Sequence, residues 1–198
     1  MLAALDEYER TDPDLQRALD EAKTLITRRL DAEDLHEAFL TALEPQVAEH
    51  SHLDAKPLEV NLKPPLPTLL RIYIYNLTHP PGGRTQSEHK VQITLPNLSR
   101  GERAELDHSD GRIVLLIGYD AEMSVFVLWD AGLYRDIPFS RNVQVKAETV
   151  YGAYATGLTT QTRQLWGGVE EVLVAAHSSH LPRGIQLRVD LSLARLLR

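Results

Sequence analysis

The sequence predicts an α+β protein: an N-terminal helical pair, then a curved antiparallel or mixed sheet, a partial barrel carrying one or two helices. Three observations carry this expectation. Apolar residues in the first 62 positions recur at helical spacing. After the proline-dense stretch KPPLPTLL at 63–70 the pattern changes to alternating or continuous apolar runs. Those runs are joined mostly by short turns, without regular βαβ alternation.

The elements follow in order. Asp12, Pro13 and Asp14 supply an N-cap, a first-turn proline and a first-turn acid. Leu15, Ala18, Leu19, Ala22, Leu25 and Ile26 then form one apolar stripe. Asp31 can cap a second helix with Leu35, Phe39, Leu43 and Val47 on one face, ended or kinked by Pro45. Two such helices cannot bury both stripes alone, so they must pack on the following domain, a second copy or a partner chain. Residues 1–62 are read as an acidic docking or dimerisation segment and 63–198 as the α+β domain.

Within that domain RIYIY (71–75), HKVQITL (89–95) and NVQVK (142–146) alternate as half-buried strands. RIVLLIG (112–118) and SVFVLWD (124–130) are apolar runs, and VEEVLVAA (169–176) is a further candidate strand. AETVYGAYATGL reads as a helix weakened by Gly152, and the closing LRVDLSLARLL favours helix over strand. The loop THPPGGRTQSE (78–88) is long, with paired prolines and glycines, and is read as either mobile or functional.

The 198 residues contain no cysteine, which excludes disulfides, thiolate metal sites and cysteine catalysis. No signal sequence or membrane-length apolar run is present, so a soluble cytoplasmic protein is expected. The net charge of −7 is unevenly distributed. Residues 1–60 carry 6 Lys/Arg against 15 Asp/Glu, and residues 61–198 carry 15 against 13. The second part can therefore meet a polyanion although the whole chain is acidic.

No phosphate-binding loop, dinucleotide fingerprint or nucleophile elbow occurs. His177 and His180 form HSSH with no third ligand beside them in sequence, so no metal site is assigned. Trp129 and Trp166 are read as core or rim rather than as base-stacking platforms.

The residues that suit DNA are Arg141, Asn142, Gln144 and Lys146, with His89, Lys90 and Gln92 on another strand, Arg84 in the long loop, and Arg135. Amides pair with adenine edges, arginine with guanine, and lysine with phosphate. A solvated strand face is the plain alternative. A second alternative is catalytic: Asp130 ends one strand, and Gln144-x-Lys146 follows on the neighbouring strand, like the acid and acid-x-Lys of restriction-type nucleases. That reading requires magnesium and substitutes a neutral amide for one carboxylate. The DNA-binding reading needs no cofactor.

The run from IYIYNLTHPPGGR through EHKVQITLPN, SDGRIVLLIGYD and VFVLWDAGLYRDIPFSRNVQVKAETVY resembles methylase-associated domains of bacterial restriction–modification systems. It covers roughly residues 70–175, most specifically in VFVLWDAGLYRD and SRNVQVKAETVY. The resemblance implies recognition of a specific or modified duplex, alongside a nuclease, motor or methylase subunit, with a homodimer if the site is palindromic. It also implies that His89–Gln92 and Arg141–Lys146 could act as two arms in the major groove, as in pseudobarrel recognition domains.

Overall fold

The computed structural model describes residues 28–78, 87–96 and 98–197. The first predicted helix, Asp12 to Ile26, lies outside these residues, as does Arg84 with most of its loop. Helix α1 (Ala32–Leu43) is capped as expected, the Asp31 carboxylate accepting from the Asp34 N–H. The helix ends before Pro45, and Val47, assigned above to its stripe, opens strand β1 (Val47–His50) instead.

Strand β2 (Leu58–Leu62) pairs antiparallel with β1 and with β3 (Leu69–Asn76). The proline-dense stretch is thus the turn between β2 and β3. It does not divide two units: β1 and β2 belong to the same sheet as the strands after residue 63, and α1 packs its Leu35, Phe39 and Leu43 into that sheet's core.

The remaining elements are β4 (Glu88–Ile93), β5 (Arg103–Ala104), β6 (Ile113–Asp120), β7 (Val125–Trp129), β8 (Ile137–Pro138), β9 (Arg141–Lys146), α2 (Ala147–Thr156), β10 (Leu158–Gln164), β11 (Glu170–His177) and α3 (Leu181–Leu196). Seven strands form one open mixed sheet in the order β1-β2-β3-β6-β7-β11-β10, parallel only at β3–β6. The α+β class expected from the sequence is the observed one, and the sheet does not close into a barrel.

Strands β6, β7 and β11 are apolar on both faces because both faces are covered. On one face α1 and α3 bury Phe39, Leu43, Ile185 and Val189 against Ile72, Leu115 and Phe126. On the other, the two-stranded ribbon β4–β9 and α2 bury Val91, Val143, Val145 and Val150 against Tyr73, Leu116 and Trp129.

Gly118, in the middle of β6, permits the close approach of the ribbon. A Cβ there would stand 2.5 Å from Val91 Cγ2 and 3.0 Å from Trp129 Cζ3. Both neighbours are buried, with no room to give. Gly118→Ala is expected to cost about 1–3 kcal/mol by overpacking, measured as a lower urea midpoint. An unchanged midpoint would show that the ribbon is free to shift outward.

Candidate nucleic-acid interface

The ribbon displays the polar residues singled out in the sequence. β4 and β9 pair in the register Glu88 with Lys146, Lys90 with Gln144, and Gln92 with Asn142. Strand alternation puts these six side chains on one face. Their partners in sequence, His89, Val91, Ile93, Val143 and Val145, are buried beneath. Directly opposed residues in an antiparallel pair are about 4.5–5.5 Å apart at Cβ. The face is therefore a compact array of two lysines, three carboxamides and one carboxylate. Six residues per strand span about 20 Å, and a two-stranded ribbon is one of the shapes the major groove admits.

β10 fixes the ribbon in place. Arg163 Nη1 donates to the Gln144 carbonyl at 2.6 Å, while its Nε and Nη2 donate to Glu171 Oε2 at 2.8 and 2.7 Å. Tyr134 Oη donates to the same carboxylate oxygen at 3.0 Å, and the Asp130 N–H donates to Glu171 Oε1 at 3.2 Å. Gln161 Oε1 accepts from the Lys146 N–H at 2.9 Å and from Thr149 Oγ1 at 3.0 Å. Backbone atoms of β9 are thus tied to the sheet, while its outward side chains stay in solvent.

The outward side chains differ in how far they are engaged. Gln92 Nε2 donates to Ser140 Oγ at 2.8 Å. Lys146 Nζ lies 3.1 Å from Glu148, but both side chains are mostly exposed, so the pair is weak and the lysine can be drawn away by a phosphate. Asn142 and Gln144 are exposed and Lys90 is half-buried. Arg141 is half-buried, its guanidinium 5.0 Å from the centre of the Tyr134 ring.

Two expected contacts lie elsewhere. His89 is wholly buried, edge-on to Tyr151 at 5.7 Å and 3.7 Å from Asp120 Oδ2, because it shares the phase of Val91 and not that of Lys90. Arg135 is exposed and lines a cavity of about 540 Å³ with Arg112, Arg188 and Arg195. Arg84 is among the residues not described.

Burial pushes the Asp120 carboxyl up to about 6, and the backbone bonds from Met123 and Glu122 only partly offset this. The folded state therefore binds this proton more tightly than the unfolded chain, whose carboxyl keeps the ordinary value near 3.8. The group's contribution is fully present below about pH 4 and is lost as pH rises through 6. Asp120→Asn retains an oxygen for those two N–H groups and removes the titration. Relative to wild type, the variant is expected to gain stability between pH 4 and 7 in parallel urea titrations. A constant difference across that range would contradict the assigned cause.

The catalytic alternative is not assembled. β9 pairs with β4, whereas β7 lies between β6 and β11, so Asp130 and Gln144-x-Lys146 are not on neighbouring strands. Asp130 is buried, caps the short turn Ala131–Leu133, and accepts from Arg195 Nε at 2.6 Å with Arg188 Nη2 at 3.6 Å. It is a structural anion between two arginines. Among the described residues, no group of three or more His, Asp and Glu converges to hold a metal ion.

Sequence reasoning missed the supporting residues Gln161, Arg163 and Glu171. It also placed Trp166 at the core or rim, whereas the side chain stands fully exposed at the β10–β11 turn. No helix among the described residues is long and apolar enough to cross a membrane.

The family model described as Methylase-associated X1 matches residues 69–185, a span that includes both ribbon strands and the β10–β11 hairpin that holds them. Neither the curated proteins nor the solved structures give a match.

Proposed function

The chain belongs to the Methylase-associated X1 family, and from that membership we propose that it reads duplex DNA for a restriction–modification system. The ribbon enters the major groove. Asn142 and Gln144 offer the donor–acceptor pairs that suit adenine edges, and Lys90 and Lys146 meet phosphates on either side. One observation carries the reading: both lysines and all three amides lie on one outward face whose inner side is fixed to the sheet.

The acidic N-terminal segment is the part suited to docking on a methylase, nuclease or motor subunit, or on a second copy. Two copies would suit a palindromic site.

The test is retention of DNA from randomised and modified genomic pools without divalent metal, followed by magnesium. The retained DNA is expected to stay intact. Cleavage lost in Asp130→Ala would restore the nuclease alternative. On an enriched site, Gln144→Ala should relax preference at one base pair by about 1–3 kcal/mol. Lys146→Ala should weaken all sequences alike and reduce the salt slope by about 1. Equal, sequence-independent losses for both variants would remove Gln144 from base reading.

A further inference from the structure

A cavity of about 500 Å³ opens beside the ribbon. It forms because β2 pairs with β3 only as far as Ile72, leaving the edge of β3 from Tyr73 to Asn76 facing the start of α1. Lys90 and Gln92, two residues of the outward ribbon face, also form its wall. The proposed groove-facing surface and the cavity are therefore continuous.

The lining suits a planar heteroaromatic ring. Tyr75 is held in place by donating its hydroxyl to the Thr94 carbonyl at 3.0 Å, which leaves the ring as a fixed wall. His36 also lines the space and lies with Nδ1 2.5 Å from the Leu53 carbonyl. Burial lowers its pKa, so the ring is neutral at neutral pH. Nδ1 then donates to that carbonyl, and Nε2 is the acceptor. Arg29 and Lys56 are exposed at the margin, where they add positive charge to that of Lys90. The volume falls in the range of about 300–1,000 Å³ typical of small-molecule sites.

We propose that this cavity receives a nucleobase extruded from the duplex seated on the ribbon, with Tyr75 as its stacking wall and Arg29 and Lys56 on the flanking phosphates. The proposal rests on the ribbon reading above. It explains how a domain can inspect a base beyond its groove edge. Extrusion exposes the Watson–Crick edge and any modification, at a cost of a few kcal/mol that is least for an unpaired base.

The experiment uses the full chain with two duplexes, one fully matched and one with a single central mismatch carrying 5-iodouracil. Affinity is read by fluorescence anisotropy, and photo-cross-links are mapped by mass spectrometry. The mismatched duplex is expected to bind about 10-fold more tightly, since its base is already unpaired. The cross-link should fall on the peptide containing Tyr75. Thr94→Trp, at an exposed position of the lining, should remove both effects while matched-duplex affinity changes by less than about twofold. Matched binding without mismatch preference or Tyr75 cross-link overturns the cavity proposal and leaves the ribbon reading standing. Effects that persist in Thr94→Trp overturn it as well. Absence of all duplex binding removes both readings, and binding of free 5-iodouridine monophosphate alone would assign the cavity to a free nucleotide instead.

Discussion

Glu171→Ala is expected to lower stability by about 3–5 kcal/mol, in the range for removing one partner of a buried ion pair. The carboxylate is almost fully buried and holds Arg163, Tyr134 and the Asp130 N–H together. Without it the half-buried Arg163 faces only the Tyr134 hydroxyl and the Gln144 carbonyl, and the Asp130 N–H loses its acceptor. An unsatisfied buried donor alone costs about 1–3 kcal/mol. Glu171→Gln keeps the shape and an accepting oxygen, so a smaller loss is expected, which separates charge from packing. The loss should also reach the ribbon, because Arg163 is the link from Glu171 to β9. Hydrogen exchange at Val143 to Lys146 is expected to quicken more than exchange in β6. Uniform acceleration would mean that Arg163 does not hold the ribbon independently of the sheet.

The ribbon strands were legible because period-2 alternation survives any tertiary context: HKVQI and NVQVK each bury every second residue. Their pairing was not, since Lys90 and Gln144 are joined across more than fifty residues and nothing local encodes the partner. His89 shows the limit of reading by residue type. Its chemistry suggests an exposed contact, but its phase commits it to the core with Val91.

Strand β10 was missed for the opposite reason. LTTQTRQ has few apolar residues to mark a period, and it lies at the sheet edge with alternate side chains half-buried. Yet it supplies Gln161 and Arg163, the residues that fix the candidate interface. Gly152, read as a weakness in α2, is a close-packing position: a Cβ there would meet Thr159 Oγ1 at 2.9 Å. The acid of the catalytic alternative looked available because its arginine partners lie far along the chain, Arg195 being 65 residues away.

Reversing both ribbon lysines, Lys90→Glu with Lys146→Glu, is expected to lower DNA affinity by about 100-fold or more near 0.1 M salt and to flatten the salt slope by about 2. The chain's net charge of −7 supplies no general attraction for a polyanion. At that ionic strength exposed charges more than about 10 Å apart are largely screened. What a phosphate meets at the ribbon is then set locally, by Lys90, Lys146 with its neighbour Glu148, Glu88 and the half-buried Arg141. Lys146→Glu also places a carboxylate opposite Glu88 and beside Glu148, like-charge contacts at exposed positions each worth a few tenths of a kcal/mol to about 1 kcal/mol against folding. The fold should therefore survive, and a urea midpoint close to wild type would confirm it. If the doubly reversed protein kept its DNA affinity and its salt slope, the phosphate contacts would have to lie off the ribbon. The arginine-lined cavity containing Arg112, Arg135, Arg188 and Arg195 would then be the surface to test next.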